Sequence, residues 1–146
     1  MAVMIWPDRL ARLDAFVAWH AAQRAHRLLC DHLDTTGLRM QHYRVLAGML
    51  ELGECTQAEL SRALELDAGN LVLLLGELEQ REAVTRTPDP AHRRRNLVRP
   101  TDLGRQMFSE MDKAVNQAND LFLAPLDEAE RAQFRSMLTR LVGDAG

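Results

Sequence analysis

Apolar residues recur at helical spacing along most of the chain. From Asp8 to about Asp34, the positions Leu10, Leu13, Val17, Ala21 and Leu28 follow at steps of three, four or seven, which predicts one long amphipathic helix. Gly37 interrupts it. A second helix carries Tyr43, Leu46, Ala47 and Leu50 on its inward stripe and ends at Gly53. Thr56-Gln57-Ala58-Glu59 is a capping box, in which threonine and glutamate satisfy orphan amides reciprocally, and it opens a short third helix to near Leu64. Asp67 is a good N-cap for a fourth helix through about Arg81, with Leu71, Leu74, Leu75 and Leu78 inward.

The period then changes from helical to alternating. Val84–Thr87 and Arg95–Arg99 read as two short strands joined by a proline-punctuated turn, Pro88 to Arg94. Thr101 caps a fifth helix with the stripe Leu103, Met107, Met111, Val115, Ala118 and Phe122, which Pro125 stops. Asp127 and Glu130 form another box for a last helix with Phe134, Met137, Leu138 and Leu141. Two short helices, a tight turn and a two-stranded hairpin make a winged helix-turn-helix. The expected fold is all-α with a small β-wing: residues 38–100 form the winged helix-turn-helix within a single domain of 1–146. Long N- and C-terminal helices, 8–34 and 101–142, flank it with more apolar stripe than so small a module covers. Dimerisation through these helices is the expected way to bury it.

Composition sharpens this. The chain has 146 residues and a net charge of −3, so nothing about its overall charge favours nucleic acid or a membrane. No wholly apolar stretch exceeds six residues, far short of the roughly 20 residues of a membrane span, and Trp6-Pro7-Asp8-Arg9 stands where a signal peptide would be apolar. A soluble cytoplasmic protein is expected. Resolved by position, the charge is uneven: Val84 to Arg105 carries six arginines against Asp89 and Asp102, a balance of +4 against −7 elsewhere. An arginine-rich hairpin after a helix-turn-helix suits phosphate contacts, because guanidinium forks hold phosphate oxygens bidentately.

Several chemistries lack their residues. There is no Gly-x-Ser-x-Gly, phosphate-cradling glycine loop or His-Glu-x-x-His. His20, His26 and His32 lie six apart, so their rings turn away from one another on a helix. Cys30 and Cys55 match no zinc spacing. Neither an enzyme, a metal nor a cofactor is expected. Cys55 stands before the Thr56 cap, where a helix N-terminus would lower a thiol pKa, but inert thiols are the simpler expectation.

The stretch Leu38 to Arg105 resembles the multiple-antibiotic-resistance regulator (MarR) family of bacterial transcription factors. Leu38-Arg39-Met40-Gln41-His42-Tyr43-Arg44-Val45-Leu46, Thr56-Gln57-Ala58-Glu59-Leu60, Leu66-Asp67 and Leu78-Glu79-Gln80-Arg81 carry the likeness. Pro88-Asp89-Pro90-Ala91-His92-Arg93-Arg94 and Thr101-Asp102-Leu103-Gly104-Arg105 complete it. The resemblance implies a homodimer on a pseudo-palindromic double-stranded operator, acting as a repressor released by a small aromatic or anionic effector. On this chain it implies DNA contacts from Gln57, Asn70, Leu73, Arg93, Arg94 and Arg95. His92 replaces the family's usual acid, which leaves Asp89 to support the wing by pairing with its arginines. The family's effector pocket implies His20 and Arg24, on the inward arc of the first helix, together with His42.

The recognition helix departs from the family pattern. Between Asp67 and Gln80 it has no basic residue and exposes Gly69, Asn70, Val72 and Leu73, then Gly76 and Glu77. Asn70 alone suits bidentate contact with a base, an adenine, while Val72 and Leu73 suit thymine methyls. The alternative is a relative with a degenerate DNA surface that serves as a ligand-binding or protein-interaction module.

Overall fold

A computed structural model describes residues 6–143 of the chain, so the ends of the expected 1–146 domain lie outside them. Seven helices and three strands follow in order: α1 (Asp8–Ala11), α2 (Asp14–Asp34), α3 (Met40–Leu52), β1 (Cys55–Thr56), α4 (Gln57–Leu64), α5 (Ala68–Gln80), β2 (Val84–Asp89), β3 (His92–Pro100), α6 (Asp102–Phe122) and α7 (Glu128–Val142). This is the expected mostly helical fold with a small β-wing. No helix among the described residues is long and apolar enough to cross a membrane.

Two compact parts divide the chain. One is Leu29–Val115; the other joins the residues through Leu28 with those from Asn116 onward. The first holds the winged helix. Its core gathers Leu46 and Met49 of α3, Leu60 of α4, Leu71, Leu75 and Leu78 of α5, Val98 of β3 and Met111 of α6. The inward residues of α5 are those its spacing predicts. On α3 the buried set is His42, Val45, Leu46 and Met49, rotated by one position from the expected stripe. Tyr43 is only half-buried: its ring stacks on Phe108 at 5.2 Å, and its hydroxyl donates to Asp112 Oδ1 at 2.8 Å. Burial and that carboxylate push the phenol up to about 12.

The sheet has the order β1-β3-β2, all antiparallel. The two-residue β1, unanticipated in sequence, pairs Cys55 with Val98 and Thr56 with Leu97. The β2–β3 hairpin is longer than the sequence pattern suggests, and only Pro90 and Ala91 lie between its strands. Pro88 sits inside β2, opposite Asn96, with a register shift at Pro88/Asp89. A residue without an N–H is tolerated there because β2 is an edge strand.

The Thr101-x-x-Gly104 motif joins the wing to α6. Thr101 N–H donates to the Ala83 carbonyl at 2.9 Å, and its hydroxyl donates to the Glu82 carbonyl at 2.6 Å. The same hydroxyl accepts from Gly104 N–H at 3.0 Å, capping α6. A Cβ on Gly104 would come within 1.9 Å of the Ala83 carbonyl oxygen, so only glycine fits. Arg81 Nη2 donates to the Gly37 carbonyl at 3.0 Å, giving the end of α5 a second tie.

In the other part, the expected single helix from Asp8 is broken at Arg12 and Leu13. The Trp6 ring lies 5.2 Å from Phe16 and 4.6 Å from His20. In one straight helix Trp6 and Phe16 would stand about 15 Å apart along the axis. The aromatic contact therefore requires the chain to fold back between α1 and α2. The Asp127–Glu130 capping box opens α7 as anticipated, but α7 buries none of its residues. Leu13, Val17 and Trp19 of the N-terminal segment, with Leu121, Met137, Leu138 and Leu141, remain exposed within a single chain.

Candidate nucleic-acid interface

α4 and α5 form the helix-turn-helix through two caps. Thr56 Oγ1 accepts from Glu59 N–H at 3.1 Å, while Glu59 Oε2 accepts from Thr56 N–H at 2.8 Å. These bonds hold the Glu59 carboxyl below its usual value. Glu65, in a left-handed conformation, ends α4. Asp67 Oδ1 then accepts from Gly69 and Asn70 N–H at 2.9 and 3.2 Å and starts α5. Each such cap contributes about 1 kcal/mol.

With Leu71, Leu74, Leu75 and Leu78 packed inward, α5 turns Asn70, Val72, Leu73 and Glu77 outward. Leu73 is 68% exposed and Val72 46%. The Asn70 carboxamide makes no hydrogen bond among the described residues. Glu77 is the one anion on this arc, and its charge is answered from α3. Arg39 Nη2 donates to Glu77 Oε2 at 2.7 Å, and His42 Nε2 lies 2.5 Å from the same oxygen. The Arg39 N–H donates to His42 Nδ1 at 3.1 Å, so that nitrogen is an acceptor and the ring proton sits on Nε2, facing Glu77. Burial holds His42 below its ordinary pKa, against the pull of Glu77, while His42 and Arg39 hold the Glu77 carboxyl down. Sequence reasoning assigned His42 to an effector pocket. The structure gives both of its ring nitrogens partners within the winged helix, and the 35 residues separating it from Glu77 hid that pairing.

The wing arginines sort into two groups. Arg86 pairs with Glu79 of α5, and Arg99 pairs with Glu54, so these two stiffen the wing. Arg93, Arg94 and Arg95 are exposed, and no ion pair engages them among the described residues. The expected pairing of Asp89 with the wing arginines is replaced by a backbone role. Asp89 Oδ1 accepts from Ala91 N–H at 2.9 Å, because the two-residue turn brings that amide closer than any guanidinium. Gln57, at the start of α4, accepts at Oε1 from Asn96 Nδ2 at 3.1 Å and so ties α4 to β3.

These elements form one continuous face. Gln57 and Ala58 belong to two shallow depressions: one runs past Ser61 and Arg62 to Val72, the other reaches Arg94, Arg95 and Asn96. A third lies across α5, walled by Arg39, Gln41, Asn70, Leu73 and Glu77. Arg62 is a cation on this face that sequence reasoning passed over. Its only signal was a place one turn after Glu59, on the outward side of a capped helix.

Two residues implied for an effector, His20 and Arg24, belong to the other compact part of the chain. His20 is half-buried among aromatic rings, 4.7 Å from Phe16 and 4.9 Å from Trp19 as well as close to Trp6. Arg24, expected on a buried arc, is exposed in the single chain, as are Leu13 and Val17 of that arc, because nothing among the described residues covers it. Cys55 is buried, and burial pushes its thiol up instead of the helix terminus pulling it down.

Three-stranded sheet, helix-turn-helix and arginine-tipped hairpin together define a winged helix-turn-helix protein. Residues 36–95 of the chain match the model of the MarR family. It is similar to the HTH-type transcriptional repressor NicR of Pseudomonas putida, 28% identical over 66% of this chain and 61% of that protein. The chain spans just under two thirds of the length of the curated relatives it matches. Among solved structures, the PcaV transcriptional regulator of Streptomyces coelicolor, in complex with its natural ligand, is 26% identical over the whole of both chains, with a TM-score of 0.77. A mutant MarR from E. coli complexed with operator DNA is 25% identical, covering 86% of this chain and 90% of that one, with a TM-score of 0.77.

Proposed function

We propose that this protein is a transcriptional repressor that binds a pseudo-palindromic DNA operator as a homodimer and is released by a small aromatic or anionic effector. The observation that carries the DNA reading is the division of the wing arginines. Arg86 and Arg99 are held by glutamates, whereas Arg93, Arg94 and Arg95 stand free beside the capped start of α4. Unpaired guanidiniums on a hairpin suit phosphate oxygens, which position a protein without reading sequence. Gln57 and Asn70 supply amide groups for base edges on the same face. The MarR relative solved with operator DNA supports the same use of this fold. Exposed Leu13, Val17, Met137, Leu138 and Leu141 support the dimer, since a second copy would remove them from water. The repressor sense follows NicR, and the effector follows PcaV, with His20 and Arg24 as the residues for an aromatic carboxylate.

A mobility shift tests this, using duplexes that the protein selects from a random-sequence pool, at two salt concentrations. Arg94→Ala is expected to weaken binding at every sequence and to lower the salt slope by about 1 per wing. Unchanged affinity and slope would refute the wing contact. Adding 4-hydroxybenzoate to the same shift is expected to release wild type more readily than Arg24→Ala. Equal behaviour would remove Arg24 from effector binding.

A further inference from the structure

We infer that α5 reads thymine: Leu73 and Val72 seat against the C5-methyl groups of thymines in the major groove, beside an adenine held by Asn70. The inference rests on the DNA-binding reading above and names what the recognition helix selects. Leu73 is 68% exposed and Val72 46%, although the other four leucines of α5 are buried. The thymine methyl is the one apolar group that a base pair presents in the major groove. A G·C pair there offers acceptors and a donor, and an aliphatic side chain would leave them without partners.

The rest of the helix surface agrees. α5 has no cation for guanine, and its outward anion, Glu77, is drawn onto Arg39 and His42. Asn70 lies one turn before Leu73 on the same line of the helix, so adenine and a neighbouring thymine are within one footprint. Gly76 adds an independent sign of close approach. A Cβ there would meet nothing within 4 Å among the described residues, so packing does not require the glycine, although glycine weakens a helix. Val72 is exposed and Gly76 lies one turn after it, so another molecule's surface can come near the backbone at Gly76. The free arginines of the adjoining wing commit that molecule to a polyanion, and the methyl group commits it to DNA over RNA.

The test replaces thymidine by deoxyuridine, position by position, in duplexes selected by wild-type protein. The exchange removes the methyl and leaves the base pairing intact. Affinity is expected to fall about fourfold for each contacted thymine, the worth of one buried methyl. Leu73→Ala should lose that sensitivity at the thymine facing Leu73 while keeping the wild-type salt slope. Because Leu73 is exposed, its truncation leaves the core intact; Leu73→Gln, with a matching melting temperature, serves as a second variant. A duplex wholly in deoxyuridine that binds as tightly as its parent, or uracil sensitivity that survives in both variants, overturns the inference but not the DNA reading. No enrichment of any duplex, with binding indifferent to Arg94→Ala, overturns both and leaves the apolar face to a protein partner.

Discussion

The recognition helix and the wing share one solvent face and have opposite chemistry. α5 presents an amide, two aliphatic side chains and a neutralised glutamate over 13 residues, with no cation. The tip of the wing presents three consecutive arginines. Guanidinium–phosphate contacts supply affinity that ignores sequence and falls steeply with salt, whereas methyl and amide contacts supply discrimination that salt hardly touches. On the proposed reading, the difference teaches that holding DNA and reading it reside in separate elements. Each is then open to a change that leaves the other alone.

The largest expected effect strikes the support common to both. Gly104→Ala puts a methyl against the Ala83 carbonyl, where β2 begins just beyond the end of α5. A loss of about 1–3 kcal/mol in a urea melt is expected, as for other overpacked positions. Stability equal to wild type would mean that α6 shifts freely, and the close approach would lose its significance.

Next in size is Asn70→Ala. It should cost about 1–3 kcal/mol of discrimination at one base pair and leave the salt slope as in wild type, the mirror image of Arg94→Ala. An altered slope with unchanged base preference would collapse the comparison.

The smallest effect concerns acid. His42 ties α3 to Glu77 of α5, and its pKa is depressed in the folded chain. The unfolded chain then takes up the proton first as pH falls. The stability contributed by neutral His42 is complete above an ordinary value near 6.5 and drains below it. Urea midpoints should therefore decline from about pH 7.5 to about 5.5, and His42→Gln should flatten that decline. A decline of equal size in both proteins would separate the clamp from the acid response.

Much of the fold was legible because its signals are local. The Thr56–Glu59 and Asp127–Glu130 boxes, the Asp67 cap and the leucine spacing of α5 depend on residues within a few turns of one another, and each stands where the pattern places it. The arginine cluster was equally plain. What pattern could not show was how charge is spent. Arg86 and Arg99 look like their neighbours in sequence, yet Glu79 and Glu54 engage them. His42 looked free for a ligand until Glu77 and the Arg39 amide claimed its two nitrogens. The break before α2 escaped notice for a related reason, since it follows from Trp6 reaching Phe16 across a turn.

The sequence by itself determined the order of helices, the hairpin, the basic wing on an acidic body and the absence of cations from the recognition helix. These follow from composition and from periods of two and 3.6 residues, which act over short distances. Tertiary structure alone decided which arginines stay free, how the anion on α5 is neutralised and why Gly104 admits no side chain. Those outcomes depend on groups 7 to 45 residues apart in sequence, such as the Glu79–Arg86 and Glu54–Arg99 pairs. Ion pairing and close backbone packing require atoms within a few ångströms, and only the folded chain brings such groups together.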